Sequence, residues 1–167
     1  MGMPQDGQKY ELVEGELVVS PAGGRHGKVT VRLVVRLGGF VEAGKLGHVF
    51  DSSTGYILPG GNRRAPDASF VARGRFPGEE VPRGFIELAP DLAVEVLSPG
   101  DDPRKVMDKV GEYLKSGVRL VWVIDPETRR AVCYRSLTAV HDVPTEGALA
   151  GEDVVPGFAC PLASLFE

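Results

Sequence analysis

The sequence lacks the features of a membrane, secreted or disulfide-stabilised protein. No stretch approaches the roughly 20 consecutive apolar residues that a membrane-spanning helix needs, so we expect no membrane segment. The start, Met1 to Asp6, lacks the basic and then apolar pattern of a signal peptide. The chain has 2 cysteines, Cys133 and Cys160, far apart and in apolar surroundings. We expect both to be reduced packing residues in a cytoplasmic protein.

A surplus of positive charge is also missing. The 19 Lys and Arg residues are outnumbered by 23 Asp and Glu residues, for a net charge of -4. This balance argues against a protein whose main task is to coat nucleic acid, because such domains usually carry a basic surplus. It does not exclude an enzyme that acts on nucleic acid, since acidic catalytic residues lower the total and basic residues can cluster locally.

Three common catalytic motifs are absent. Residues 23–29 resemble a phosphate-binding loop, but Ala22 and Val29 occupy the positions that require Gly and Ser or Thr. The 3 histidines are dispersed and the cysteines show no ligand-pair spacing, which disfavours a zinc site. The chain has no Gly-x-Ser-x-Gly sequence, so a hydrolase with that nucleophile has no support.

The order of predicted elements indicates an α/β fold, and 167 residues fit a single domain over residues 1–167. A strand, a helix and a strand follow one another around Glu95, 103–116 and Trp122, which predicts two parallel neighbouring strands. The remaining predicted elements are a hairpin over about 9–13 and 16–20, a helix from Arg25 to Ala43 that stops at Gly44, strands near 46–51, 56–58 and 65–71, a turn over 60–64, a loop over 73–84, a hairpin near 131–143, and a tail from 153 to 166 that packs back. The result is a mixed sheet with at least two helices.

Glu95 interrupts an otherwise apolar run from Leu92 to Leu97. A run this short and rich in β-branched residues is typical of a strand buried on both faces. An ionised carboxylate there is costly unless a cation, a metal ion or hydrogen-bond donors meet it. A structural ion pair and an active site are the two explanations.

Asp67 is a second carboxylate of interest, because Pro66 and Asp67 open another predicted strand. Two carboxylates that meet at the edge of a sheet form a hard oxygen site suited to Mg²⁺ or Mn²⁺. Such an ion can activate water and stabilise charge on a phosphate under attack. Taken alone, Asp67 is better explained as a turn carboxylate at a strand entrance.

Lys109 is the best candidate for a cation near Glu95. A helical wheel groups Val106, Met107, Val110, Tyr113 and Leu114 on one face of the second helix, and Lys109 falls at the border of that face. Because this helix must cover the sheet that holds Glu95, Lys109 can reach the carboxylates. Spacing alone does not distinguish a catalytic lysine from one that pairs with Glu95 for structure only.

Several phrases along the chain resemble those of the PD-(D/E)XK nuclease superfamily, and more closely those of the Uma-two family, described as putative restriction endonucleases. They are Tyr10-Glu11-Leu12-Val13-Glu14-Gly15-Glu16-Leu17, Gly24-Arg25-His26, Ala65-Pro66-Asp67, Val94-Glu95-Val96-Leu97-Ser98-Pro99, Lys109 four residues before Tyr113, and Gly117-Val118 leading to Val121-Trp122-Val123-Ile124-Asp125-Pro126. The resemblance covers nearly the whole chain. It implies a restriction-endonuclease-like mixed β-sheet flanked by helices, with hairpins at both ends.

The resemblance implies a site in which Asp67 and Glu95 bind Mg²⁺ or Mn²⁺. The superfamily pattern puts a lysine two residues after the glutamate, where this chain has Leu97. In this family the lysine has moved to the following helix, which matches Lys109. Glu11 and His26 are accessory candidates, although a strand-edge acid and a helix-start histidine are equally good structural explanations.

The implied activity is Mg²⁺-dependent endonucleolytic hydrolysis of DNA, with Lys109 orienting the attacking water or stabilising the phosphate charge. The family resemblance also favours a homodimer, because two strands need two active sites. The candidates for phosphate contacts are Lys28, Arg32, Arg36, Arg63 and Arg64. The alternative is a non-catalytic or regulatory module that retains the fold, with Glu95 and Lys109 as a structural ion pair.

Overall fold

The computed structural model describes residues 10–19 and 23–167, with only the backbone described at residues 10, 11, 13, 18 and 19. The strands are β1 (Tyr10–Val13), β2 (Glu16–Val19), β3 (Gly47–Asp51), β4 (Tyr56–Ile57), β5 (Arg63–Arg64), β6 (Ala68–Ala72), β7 (Leu92–Val96), β8 (Leu120–Asp125), β9 (Arg130–Tyr134), β10 (Val140–Val143), β11 (Ala148–Ala150) and β12 (Ala159–Pro161). Within the described residues, the α-helices are α1 (Gly24–Gly44) and α2 (Pro103–Lys115). Short 3₁₀ turns cover Pro77–Glu79 and Leu162–Leu165.

A six-stranded sheet in the order β10-β9-β8-β7-β6-β3 forms the centre of the fold. β7 and β8 are parallel and the other neighbours are antiparallel, which confirms the predicted mixed sheet and its crossover through α2. Side chains alternate between the faces of β7, so Leu92, Val94 and Val96 join one core cluster while Ala93 joins the other. Helix α1 packs in the first cluster and α2 in the second, on opposite faces of the sheet.

Helix α1 buries the predicted apolar stripe, with Leu33 and Leu37 fully covered. Its end differs slightly from the prediction, because Gly44 is still helical and the left-handed residue is Lys45, with φ 51°. The N–H of Lys45 donates to the carbonyl of Glu42 at 3.1 Å. This hydrogen bond pairs one of the last helical carbonyls and offsets part of the cost of the left-handed conformation.

Helix α2 begins and ends as its local sequence predicts. The Asp102 carboxylate accepts a hydrogen bond from the N–H of Arg104 at 2.9 Å, and Pro103 occupies the first turn. Beyond the helix, Gly117 takes φ 98°, a conformation that glycine adopts without a steric penalty. Met107 differs from the expected burial and is 42% exposed, because it lies at the edge of the buried stripe on the side opposite Tyr113.

The prediction of a turn over 60–64 is wrong for Arg63 and Arg64, which form a strand. Arg63 and Arg64 form β5, which joins a small four-stranded sheet in the order β2-β1-β5-β4. Arg64 is the register partner of the nearby Tyr56, and Arg63 is the register partner of Leu12, about fifty residues earlier. The distant pairing with β1 adds β5 to the sheet.

The C-terminal part contains one more hairpin than predicted. β9 and β10 form the expected pair near 131–143, and β11 and β12 form a second antiparallel pair. The tail packs back as expected through Val154, Val155, Phe158 and Leu162, all of which are buried. Cys133 and Cys160 are both free and buried, and burial raises the pKa of Cys133 to about 12. Within the described residues, no helix is both long and apolar enough to cross a bilayer.

Candidate active site

The pairing of β6 with β7 brings Asp67 next to Glu95. Asp67 lies directly before β6, next to the Ala68–Val94 pair. Its N–H donates to the carbonyl of Val94 at 2.9 Å, and its Oδ2 accepts a hydrogen bond from the N–H of Val96 at 2.8 Å. Asp67 therefore contacts the β7 backbone on both sides of Glu95, and the two residues lie at the same end of the β6–β7 pair.

Glu95 is 8% exposed, and both of its carboxylate oxygens accept hydrogen bonds. Lys109 Nζ donates to Oε2 at 2.8 Å, and the Tyr113 hydroxyl donates to Oε1 at 2.7 Å. Lys109 and Tyr113 are four residues apart on α2 and therefore lie on the same side of the helix. A cation and a hydroxyl donor thus offset the cost of burying this carboxylate.

Asp67 is buried as well and is held from the other side of the sheet. Its Oδ2 accepts a hydrogen bond from the N–H of Val96 at 2.8 Å. Nε2 of His26, in the first turn of α1, lies 3.0 Å from the same oxygen. When Asp67 is ionised, this contact is a hydrogen bond only if Nε2 carries the proton. His26 thus contacts Asp67.

A second polar link connects α2 to the segment before Asp67. Arg64 Nε donates to Glu112 Oε2 at 2.7 Å, and Asn62 Nδ2 donates to Glu112 Oε1 at 2.7 Å. The Arg64 guanidinium is buried and also forms an ion pair with Glu112 through Nη2. Because Arg64 is three residues before Asp67, this network ties the helix that carries Lys109 to the strand that leads into the site.

The other basic residues predicted for phosphate contacts occupy two places. Lys28 and Arg36 are exposed on α1, and Arg36 Nη2 donates to the carbonyl of Ser164 at 3.3 Å. Arg32 is half-buried, and its Nη1 is buried with no hydrogen-bond partner among the residues that the structure describes. Arg63 lies in β5, with its guanidinium over the Phe85 ring at 5.1 Å from the centroid.

Glu11 and Leu97 complete the predicted set. Glu11 pairs with Val18 through the β1–β2 hairpin, but its side chain lies outside the described part of the structure. Leu97, at the position of the superfamily lysine, is half-buried and packs against the cluster that contains Tyr113. Its side chain therefore contributes an apolar surface where the usual pattern has a charge.

A cleft of about 190 Å³ lies at the start of α1. It is lined by residues 23–26 at the start of α1 and by Leu97, Pro99, Pro126 and Glu127. His26 both lines this cleft and contacts Asp67. The cleft therefore adjoins the site through His26.

Sequence reasoning missed the contacts of two site residues. Tyr113 falls on the predicted apolar face of α2, which by itself suggests a packing role. A buried tyrosine usually needs a hydrogen-bond partner for its hydroxyl, and this rule is the signal that points to Glu95. Glu112 carried no such signal. Its contacts with Asn62 and Arg64 depend on β5, which the local sequence does not predict.

The donor chemistry of the site fits a small hard cation. Mg²⁺ is usually held by one or two carboxylates and completes its shell with water and substrate oxygens. A carboxylate oxygen has two lone pairs, so an oxygen that accepts one hydrogen bond can also bind a cation. In the described ranges, no group of three or more His, Cys, Asp or Glu side chains is arranged to hold a metal ion. The shell would therefore depend on water and substrate.

Comparisons with known proteins agree with this architecture. The model of the Uma2 family, described as "Putative restriction endonuclease", matches residues 2–163. A crystal structure of a "putative nuclease belonging to DUF820" from Anabaena variabilis ATCC 29413 superimposes with a TM-score of 0.87 at 22% sequence identity. The alignment covers 98% of this chain and 93% of that chain, which confirms the restriction-endonuclease-like fold. A search of the curated proteins found no match.

Proposed function

The chain belongs to the Uma2 family of restriction-endonuclease-like proteins, and from this premise we propose that it is a divalent-metal-dependent endonuclease that hydrolyses phosphodiester bonds of DNA. Family membership supports nuclease function in general. The finer proposal depends on one observation in the site: Asp67 contacts the β7 backbone on both sides of Glu95, and Lys109 contacts Glu95 at 2.8 Å.

Asp67 and Glu95 would hold Mg²⁺ or Mn²⁺ in this proposal. The bound ion would supply a Lewis acid and lower the pKa of a water molecule. Asp67 and Glu95 add negative charge at one edge of the sheet, which is the property that a divalent cation requires. His26 and the N–H of Val96 hold the Asp67 carboxylate in place, so this ligand needs little reorganisation when the cation binds.

Lys109 would contact the attacking water or the phosphate of the substrate. Its ammonium is a mobile point charge on a flexible stem, and can stay near Glu95 while it donates to a water molecule or to a phosphate oxygen. At a phosphate under attack, the negative charge grows on the oxygens, and a nearby cation stabilises that charge more in a partly buried site than in water. The side chain of Lys109 is 17% exposed, which permits this contact with substrate.

Basic residues outside the catalytic group would supply the phosphate contacts that position DNA. Lys28 and Arg36 are the best placed of the predicted set, because both are exposed on the helix that begins beside the cleft. Arg32, Arg63 and Arg64 are the remaining candidates, and each already has contacts or burial that limit its reach. Glu11 stays an accessory candidate.

Metal binding is the first test of the proposal. Mn²⁺ is titrated into the wild type, Asp67→Asn and Glu95→Gln, and the free ion is measured by electron paramagnetic resonance. We expect millimolar or tighter binding by the wild type and at least about 10-fold weaker binding by both variants. Asp91→Asn is the matched control, because Asp91 is equally buried but pairs with Arg75 away from the site. Absence of Mn²⁺ binding to the wild type at millimolar concentration contradicts the proposal.

Plasmid cleavage is the second test. The purified wild type is expected to nick or linearise supercoiled plasmid in Mg²⁺ and to be inactive in EDTA. Lys109→Ala should reduce the rate by about 10²- to 10³-fold, as for loss of a group that stabilises transition-state charge. Equal activity in both preparations would remove Lys109 from the mechanism or reveal a contaminating nuclease. Parallel assays on circular single-stranded DNA and on RNA identify the preferred substrate form.

We also propose that the active form is a homodimer that works in the cytoplasm. A double-strand break needs two phosphodiester cleavages, and two copies of the chain supply two sites. Analytical ultracentrifugation with and without a short DNA duplex tests the assembly. A monomer under both conditions, together with nicked plasmid as the sole product, would overturn this part of the proposal.

One observation favours a second candidate function, a non-catalytic or regulatory module. Lys109 and Tyr113 each donate to one oxygen of Glu95, an arrangement that is also expected of a structural ion pair. Under this alternative, Lys109→Ala lowers the free energy of unfolding while the wild type neither binds Mn²⁺ nor cleaves DNA. The two tests above therefore distinguish the alternatives.

A further inference from the structure

Tyr113 contacts the candidate metal ligand Glu95 from within the core. Its hydroxyl donates to Glu95 Oε1 at 2.7 Å, and its side chain is 0% exposed. We propose that Tyr113 is a positioning residue that holds the Glu95 carboxylate in the orientation that binds the divalent cation. This inference rests on the proposed function.

The ring of Tyr113 is rigidly held. It lies in the core cluster between α2 and the sheet, together with Val110, Val121 and Val123. A buried aromatic ring has few accessible rotamers, so its hydroxyl is presented at a fixed point. Lys109 differs, because its ammonium ends a flexible four-carbon stem and its side chain is 17% exposed.

Two donors on two oxygens restrain a carboxylate more than one donor does. With Lys109 on Oε2 and Tyr113 on Oε1, rotation of the carboxylate plane breaks or lengthens at least one hydrogen bond. If the hydroxyl of Tyr113 is removed, the carboxylate loses its contact with a rigidly held ring, and Lys109 can follow the carboxylate as it turns. More of the ordering of the carboxylate then has to occur when the cation binds.

This difference predicts a specific effect on metal affinity. Partners that orient metal ligands typically change affinity or activity by about 10- to 100-fold when they are removed. Tyr113→Phe keeps the ring and removes only the hydroxyl. We therefore expect this variant to bind Mn²⁺ about 10- to 100-fold more weakly than the wild type. A tyrosine that serves only for packing would leave the Mn²⁺ affinity unchanged.

Tyr56 offers a matched control. It is also 0% exposed and belongs to the same core cluster, but its hydroxyl is 2.7 Å from Ser69 Oγ. Burial holds the pKa of Tyr56 above its ordinary value, so the hydroxyl is neutral in the folded protein at physiological pH. Tyr56→Phe therefore removes one buried hydroxyl from the same side of the sheet without touching either carboxylate.

The experiment titrates Mn²⁺ into the wild type, Tyr113→Phe, Tyr56→Phe and a variant in which 4-aminophenylalanine replaces Tyr113. Thermal unfolding and near-ultraviolet circular dichroism confirm that each protein is folded. We expect the dissociation constant to rise by about 10- to 100-fold in Tyr113→Phe, to stay near the wild-type value in Tyr56→Phe, and to return towards that value with 4-aminophenylalanine, whose amine supplies an N–H donor.

Two results would overturn the positioning role. One is an unchanged dissociation constant in Tyr113→Phe, and the other is an equal loss in Tyr56→Phe, which would indicate general loosening of the core. If Tyr113→Phe does not fold, the 4-aminophenylalanine variant tests the role. The positioning role predicts that this variant binds Mn²⁺ with nearly wild-type affinity, and a large loss of its affinity contradicts the role. A wild type that binds no Mn²⁺ contradicts the proposed function itself and this inference with it, and that failure appears before any variant is compared.

Discussion

Helices α1 and α2 cover opposite faces of one sheet with different kinds of contacts. Helix α1 is the longer one and buries an aliphatic stripe in which Leu33 and Leu37 are fully covered. Helix α2 also packs apolar side chains on the sheet, among them Val110 and Tyr113. Unlike α1, it adds inward polar contacts through Lys109 and Glu112. One helix mainly stabilises the sheet, whereas the other brings polar groups to it.

The two helices also differ in how they contact the two carboxylates. Asp67 is contacted by His26 of α1 and by the N–H of Val96 in β7. Glu95 receives two side chains from α2. Apart from His26, changes in α1 should therefore affect mainly folding, whereas changes at Lys109 and Tyr113 in α2 should affect folding and the site together.

The largest expected effect on folding is at Leu33 in α1. Leu33→Ala leaves a cavity under the helix and should lower the free energy of unfolding by about 3 to 4 kcal/mol, measured by urea denaturation. Val35→Ala is the control on the same helix, since Val35 is 67% exposed and should change the stability by less than about 0.5 kcal/mol. Mn²⁺ affinity of the folded Leu33 variant should equal that of the wild type. A large loss of affinity would contradict the division between the helices.

The next effect is at Lys109 in α2. Lys109→Met leaves the Glu95 carboxylate buried without its cation and should lower the free energy of unfolding by about 3 kcal/mol. The double variant Glu95→Gln with Lys109→Met should recover most of this loss, because no buried charge remains. Chemical denaturation of the two single variants and the double variant measures the coupling. Independent, additive losses would show that the ion pair is not a structural unit.

A smaller effect is expected at His26, the contact of α1 with the site. His26→Ala should weaken Mn²⁺ binding by about 10-fold, because Asp67 loses a partner that orients it. Thr30→Val is the control, since the Thr30 hydroxyl donates to the backbone carbonyl of His26 at 2.9 Å and does not touch the carboxylate. Mn²⁺ titration of both variants decides the role. Equal affinities in His26→Ala and the wild type would make His26 a packing residue.

The smallest effect is at the start of α2. Asp102→Ala removes the hydrogen bond to the N–H of Arg104 and should lower the free energy of unfolding by about 1 kcal/mol. Asp108→Ala is a control in the middle of the same helix, where no such effect is expected. Thermal unfolding compares the two variants. If Asp108→Ala is as destabilising as Asp102→Ala, the effect reflects loss of charge on α2 and not loss of the cap.

Features that depend on residues close together in the chain could be predicted from the sequence. The bounds of α2 follow from Asp102, Pro103 and Gly117, and the buried parallel strand follows from the apolar run around Glu95. The helical wheel placed Lys109 on the correct side of α2, because the helical period is the same in any helix. The roles of Asp67, Glu95 and Lys109 in metal binding and catalysis stay predictions.

Other features were decided by the tertiary structure. β5 exists because Leu12 and Tyr56 pair with Arg63 and Arg64, and the contacts of Glu112 depend on that strand. The hairpin of β11 and β12 likewise had no clear local pattern. Caps, helical periodicity and apolar runs act over a few residues and are visible in the sequence. Strand pairing and buried polar contacts join residues that are far apart in the chain. Local patterns therefore indicate that Glu95 needs partners and that Lys109 is a candidate, whereas the packing of α2 on the sheet makes Lys109 and Tyr113 its hydrogen-bond donors.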